Sequence, residues 1–150
     1  MPQDVNKKTT NRQTPETIKD QLDHYLLHGT ALVVDDEEGI RKLLSNYLED
    51  MGLEVETADD GDSALEMVKL KKYDYIFTDM TMPRMTGHDF ISQAKKHPFG
   101  QTKFYIITAG ITASYSKEKE EMIKEEVEAY IYKPFTHKKL FNALSIIKKV

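Results

Sequence analysis

YDYIFTDMTMPRMTG, residues 73–87, begins as a strand and ends as a loop. Tyr75, Ile76 and Phe77 form a short apolar, β-prone run that stops at Asp79, and Met80-Thr81-Met82-Pro83 and then Gly87 follow. A run of this kind bounded by turn residues reads as a buried strand emptying into a loop. Pro83 has no backbone donor and Gly87 admits left-handed or tight geometry, so the chain is expected to bend just beyond a carboxylate held at the strand's end. Asp79 stands where a reactive group would stand.

Around this stretch, from Thr30 onward, apolar runs of strand length alternate with segments of helical period, the signature of βα units and a parallel sheet. Upstream, Ala31-Leu32-Val33-Val34 is a strand ending in Asp35-Asp36. Ile40, Leu43, Leu44, Tyr47, Leu48 and Met51 then recur at helical spacing, with Gly52 placed to end that helix. Residues 53–57 alternate as a strand, and 63–71 form a helix with Ala64, Met67 and Val68 inward. Downstream, the pattern predicts a helix over 88–97 and a strand over 104–107 that ends at Thr108. A charged fourth helix over 116–128 follows, its buried stripe marked by Met122, Ile123 and Val127. Residues 129–132 form the fifth strand, Lys133-Pro134 closes it, and Leu140, Phe141, Leu144 and Ile147 mark the fifth helix.

The chain of 150 residues, 39% hydrophobic, is long enough for one domain with a full core. Its 25 acidic and 21 basic residues leave a net charge of −4, which speaks against direct nucleic-acid binding and against an anionic membrane surface. With no Cys, no long apolar span and no signal-peptide core at the N-terminus, a cytoplasmic protein is expected. Residues 1–28 read as a tail, polar and disordered to about Thr17, then a short helix with Ile18, Leu22, Tyr25 and Leu26 on one face before Gly29. Residues 29–150 form the domain. His24 and His28 share a helical face, but without a third ligand they read as packing or solvated groups.

Four strands thus end in polar residues: Asp35-Asp36, Asp79, Thr108 and Lys133. In a parallel sheet with right-handed crossovers all strand C-termini lie on one edge, so residues scattered from 35 to 133 are expected to meet. Three carboxylates packed together raise one another's pKa and need compensating charge, of which Lys133 supplies one. Carboxylate oxygens completed by water describe a Mg²⁺ site better than a zinc site, which would take His or Cys. Such an ion could stabilise charge on a transferring phosphoryl group while a carboxylate attacks phosphorus.

With VVDDEE, FTDMTMPRMTG, IITA and YIYKPF in this order, the chain resembles a response-regulator receiver domain of two-component signalling over about residues 30–150. The resemblance implies a flavodoxin-like doubly wound α/β fold, five parallel strands in the order 2-1-3-4-5 with five flanking helices, an order for which chemotaxis receivers are the standard example. It implies Asp79 as phosphoacceptor and Asp36 as a direct Mg²⁺ ligand. Asp35 would act on the ion through water, and the Thr81 carbonyl would be a further ligand. Thr108 and Lys133 would contact the phosphoryl oxygens. Tyr130 matches the family's switch aromatic, which follows Thr108 inward and remodels the face of the fourth helix, fifth strand and fifth helix. The implied partners are a histidine kinase or phosphotransfer protein as donor, and a downstream protein target or output domain. Two features depart from the family's pattern: residues 108–133 are a few longer than usual, and Glu128-Ala129 replaces a small Gly-Ala pair.

Each residue also has a plainer reading. Asp36 could simply cap the first helix, Asp79 could be a turn residue, Thr108 ordinary strand-end polarity, Lys133 a solvated lysine and Tyr130 core packing. Thr81 and Gly110 flank the site and by family analogy would tune the phosphoryl group's lifetime. Among other functions, a haloacid-dehalogenase-like phosphohydrolase would need a second Asp two residues after the nucleophile, where Thr81 stands. A flavin or nucleotide domain would need a Gly-rich loop where the chain has DDEEG. A pseudo-receiver kept only for protein contacts would not require the acids, Thr108 and Lys133 together.

Overall fold

Along the central strands the side chains alternate between two cores, and that alternation sets the architecture. The computed structural model describes residues 26–97, 101–109 and 127–148. Its elements are β1 (Thr30–Val34), α1 (Glu38–Asp50), β2 (Glu54–Ala58), α2 (Gly61–Leu70), β3 (Tyr75–Asp79), α3 (Gly87–Ala94), β4 (Lys103–Thr108), β5 (Ala129–Tyr132) and α4 (His137–Lys148). Leu32, Val34, Ile76, Phe104 and Ile106 point to one face, under Ala64 and Val68 of α2 and Phe90, Ile91 and Ala94 of α3. Ala31, Val33, Tyr75, Phe77, Tyr105 and Ile107 point to the other, under Leu44 and Leu48 of α1 and Leu140 and Leu144 of α4. The period of two forces this division, and because both faces are covered the strands read as nearly continuous apolar runs.

The five strands are all parallel in the order β2-β1-β3-β4-β5, the order implied by the family resemblance. The edge strand β2, EVETA, carries the charge expected of an edge. Phe77 and Tyr105, register partners across β3 and β4, stack with ring centroids 4.7 Å apart. No helix among the described residues is long and apolar enough to cross a membrane.

The helix boundaries follow local chemistry. Helix α1 ends as expected at Gly52, whose φ of +103° closes the last turn without a Cβ penalty. Helix α2 starts two residues earlier than the apolar period indicates, because the Asp60 carboxylate accepts the Ser63 N–H and caps it. Helix α3 starts from a capping box of Thr86 and Asp89 and stops at Ala94, short of the expected His97. Leu43, placed by spacing on the inner face of α1, is instead 38% exposed, since Leu44 and Leu48 already fill that contact.

Two expected helices fall mostly outside the described residues. Of the helix expected over 18–28, Leu26, Leu27 and His28 are described and are not helical. Instead the Leu27 N–H donates to the Met51 carbonyl at 2.7 Å, and its side chain is buried in the α1 core. Of the helix expected over 116–128, only Val127 and Glu128 are described, and neither is helical. The Glu128 N–H already donates to Phe104 of the sheet. The rest of both segments, with Gly110, His24 and residues 1–17, lies outside the described residues.

Because Leu48 is fully buried between α1 and the sheet, Leu48→Ala is expected to lower the unfolding free energy by about 2–5 kcal/mol. Urea denaturation measures it, and an unchanged midpoint and slope would contradict this packing.

Candidate functional site

The parallel register carries the ends of β1, β3, β4 and β5 to one edge of the sheet. Val34 pairs with Thr78, Asp79 with Ile107 and Thr108 with Tyr132, so the next residues out are neighbours. Backbone bonds extend the pairing past the strands, from Asp35 N–H to the Ala58 carbonyl, Met80 N–H to Ile107 and Lys133 N–H to Thr108. Asp35, Asp79 and Thr108 are consequently almost fully buried although they are polar. Asp36, one residue further, is exposed.

The side chains of Asp35, Asp79 and Lys133 form a charged triad. The Lys133 Nζ lies 3.3 Å from Asp79 Oδ1 and 3.5 Å from Asp35 Oδ2. Burial pushes the Asp79 carboxyl up to about 6, and the Asp35 charge adds to the rise while Lys133 opposes it. Burial raises Asp35 as well, against the Glu37 N–H and Lys133. Burial alone would lower Lys133, but the attraction of Asp79 and Asp35 outweighs it and holds its proton. One ammonium therefore does not fully compensate two buried carboxylates.

The donor set fits a hard divalent cation. Asp35, Asp36 and Asp79 each offer a carboxylate oxygen, and these oxygens lie within 4.8 Å of one another. Asp35 Oδ2 is buried and accepts no hydrogen bond, a costly condition that a cation or its bound water would relieve. An all-oxygen set of this kind suits Mg²⁺. The plainer reading of Asp36 as a helix cap does not hold. Glu37 occupies the cap position of α1, and no side chain caps it.

The loop after Asp79 is held by crowding. A Cβ on Gly87 would lie 2.4 Å from the Asp79 carbonyl oxygen, and the Gly87 N–H donates to Met80, so glycine is required by close approach. Positive φ in this loop falls on Arg84, at +67°, and not on Gly87. Arg84 also reaches Asp60 and Asp62 at the start of α2, at 3.3 and 3.6 Å. Thr81 is exposed two residues after Asp79. Tyr130, paired with Ile106, is partly buried against the α2 and α3 core. The Lys133–Pro134 peptide is cis.

Two contacts at the site carried no sequence signal. The Glu37 N–H donates to Asp35 Oδ1 at 2.9 Å, and Arg41 Nη1 donates to the Asp35 carbonyl at 2.7 Å. A backbone amide has no residue-type signature, and an arginine on an amphipathic helix reads as solvated surface.

The model of the response regulator receiver domain family matches residues 31–145. The chemotaxis protein CheY-3 of Vibrio cholerae is 35% identical over 107 residues, 70% of this chain and 80% of that protein. The solved structure of chemotaxis protein CheY4 of Vibrio cholerae, 32% identical, superposes with a TM-score of 0.69 over 81% of this chain and 99% of that one. The receiver domain of the sensor histidine kinase PA1611 of Pseudomonas aeruginosa, at 21% identity and TM-score 0.67, shares the fold over 80% of this chain and 97% of that one. That structure has a magnesium ion coordinated in its active-site cleft. A parallel sheet in the order 2-1-3-4-5, a buried acidic edge with its lysine, and a family match across most of the chain lead to one conclusion: this chain belongs to the response-regulator receiver domain family.

Proposed function

We propose that the chain takes a phosphoryl group from a histidine of a kinase or phosphotransfer protein onto Asp79, in the cytoplasm, and uses it to switch a protein-binding face. The observation that carries this reading is the meeting of Asp35, Asp36 and Asp79 within 4.8 Å, with Lys133 3.3 Å from Asp79. Receiver domains are phosphoacceptors, and Asp79 is the carboxylate of this cluster that ends β3 and lies nearest the Lys133 ammonium. Its oxygen would form the new O–P bond as the P–N bond of the donor breaks, with the electron pair leaving on the histidine nitrogen. The chain thereby catalyses its own phosphorylation, and slow attack of water on the acyl phosphate would reset it; it is a switch and not a turnover enzyme.

Asp36, Asp79 and the Thr81 carbonyl would hold Mg²⁺ directly, and Asp35 through water. The ion supplies positive charge against the phosphoryl oxygens. Lys133, already held between Asp79 and Asp35, adds a second cation fixed in advance of the reaction. Thr108, buried one residue beyond the register partner of Asp79, would donate its hydroxyl to a phosphoryl oxygen. Tyr130 lies on the next strand, and inward movement with Thr108 would change the face around β5 that a target or output domain reads. The net charge of −4 and the acidic site favour a protein target over nucleic acid.

Incubation with Mg²⁺ and acetyl phosphate is expected to give a single phosphoryl adduct by intact-protein mass. Asp79→Asn and a sample with chelator should both stay unmodified. An adduct of equal yield on Asp79→Asn would overturn the assignment of the nucleophile.

In the cation-free protein the ionised Asp79 is a destabilising group. Its folded value near 6 lies above the ordinary 3.8, so between these values the folded chain binds more protons than the unfolded one. Stability from this group therefore falls as pH rises from about 4 to 6 and stays lowered above that window. In chelator at neutral pH, Asp79→Asn is expected to be more stable than wild type by roughly 1–3 kcal/mol. The gap should shrink as the pH is taken down towards 4, as read by urea denaturation. A wild type more stable than the variant at neutral pH would contradict the burial argument.

A further inference from the structure

Every polar atom of Asp35 has a neighbour. Its N–H donates to the Ala58 carbonyl at 3.2 Å and its Oδ1 accepts from the Glu37 N–H at 2.9 Å. Its Oδ2 faces the Lys133 ammonium at 3.5 Å, and its carbonyl accepts from Arg41 Nη1 at 2.7 Å. Asp36 differs. It is exposed, and among the described residues no hydrogen bond orients its carboxylate. Yet its oxygen lies within 4.8 Å of those of Asp35 and Asp79. The direction Asp36 takes is therefore set by its backbone, and first by the peptide joining it to Asp35. The Arg41 bond grips the carbonyl of that peptide. The bond is charge-assisted, short and partly buried, and it ties the loop after β1 to the first turn of α1.

We propose that Arg41 is a positioning residue for the divalent cation: by holding the Asp35 carbonyl it fixes the peptide that carries Asp36 into the acidic cluster. The inference rests on the Mg²⁺ reading of that cluster. Two effects of Arg41 oppose each other. Its positive charge repels a cation, whereas its hydrogen bond presents a ligand to it. The repulsion acts through a partly solvated region, where an effective dielectric constant of about 20 or more weakens it. The orientation of a ligand by a group behind it typically changes metal affinity by about 10–100-fold. Orientation wins, and the two effects predict opposite signs on removal of the side chain.

The test is calorimetric titration of the full chain with MgCl₂ at neutral pH, for wild type, Arg41→Ala, Arg41→Lys and Asp36→Ala. The fold of each variant is checked by circular dichroism and urea denaturation in chelator. Wild type is expected to bind and Asp36→Ala to lose most of that binding. Arg41→Ala should bind about tenfold more weakly, and Arg41→Lys should fall between it and wild type, because a lysine reaches the carbonyl without the rigid planar fork. Binding by folded Arg41→Ala that equals or exceeds wild type would overturn the proposal and leave the acidic site standing. Should Arg41→Ala not fold, Arg41→Met decides, since it keeps the apolar stem and loses the donor, and wild-type affinity in folded Arg41→Met would likewise overturn the role. A wild type that binds no Mg²⁺ would sink the cation reading itself, and this inference with it.

Discussion

Two carboxylates and one ammonium share a nearly dry edge of the sheet, and the rest of the molecule is arranged around that imbalance. Lys133 reaches both Asp79 and Asp35, so neither acid is buried without a partner. One positive charge is nevertheless too little for two buried negative ones, and the Asp79 carboxyl remains pushed up to about 6. A fully neutralised site would attract a divalent cation only weakly. The residual excess of negative charge, with an Asp35 oxygen that faces Lys133 but accepts no hydrogen bond, makes the edge receptive to a divalent ion.

Holding such a site together requires a rigid frame, because repelling groups separate if the backbone allows it. The frame is the parallel register, which continues beyond the strands through the bonds from Asp35, Met80 and Lys133. Behind it, α1 and α4 cover one face of the sheet and α2 and α3 the other, so the strand ends cannot slide without opening two cores. In front, Gly87 packs its bare Cα region against the Asp79 carbonyl. Arg84, in a left-handed conformation uncommon for a side-chain residue, ties the same loop to the start of α2. Asp79 is thus fixed from behind by pairing and from in front by contact.

The same frame buries some of the site's groups and leaves others at its rim. Asp79, Asp35 and Thr108 are buried in the sheet edge, while Asp36 and Thr81 stand at its rim. Tyr130 sits on the outermost strand of that side, only partly buried. Between β4 and β5 the Thr108 carbonyl accepts the Lys133 N–H, which joins the two strand ends beside the acids.

Much of this was legible in the residues alone. The alternation of apolar runs with helical periods foretold β1 to β5 and the described helices, because burial on two faces of a parallel sheet leaves a strong hydrophobic signal. Asp35, Asp36, Asp79, Thr108 and Lys133 could be assigned to one edge from chain direction and crossover handedness, without a single distance. The element ends were less legible, since the caps at Asp60 and Thr86 depend on backbone donors that the apolar period does not register. Only the tertiary structure decided that Gly87 serves close approach while Arg84 takes the left-handed turn, that Leu27 belongs to a core, and that Arg41 grips the Asp35 carbonyl. The reason is physical: periodicity reports which face of an element is buried, whereas backbone contacts between distant segments exist only once those segments have packed.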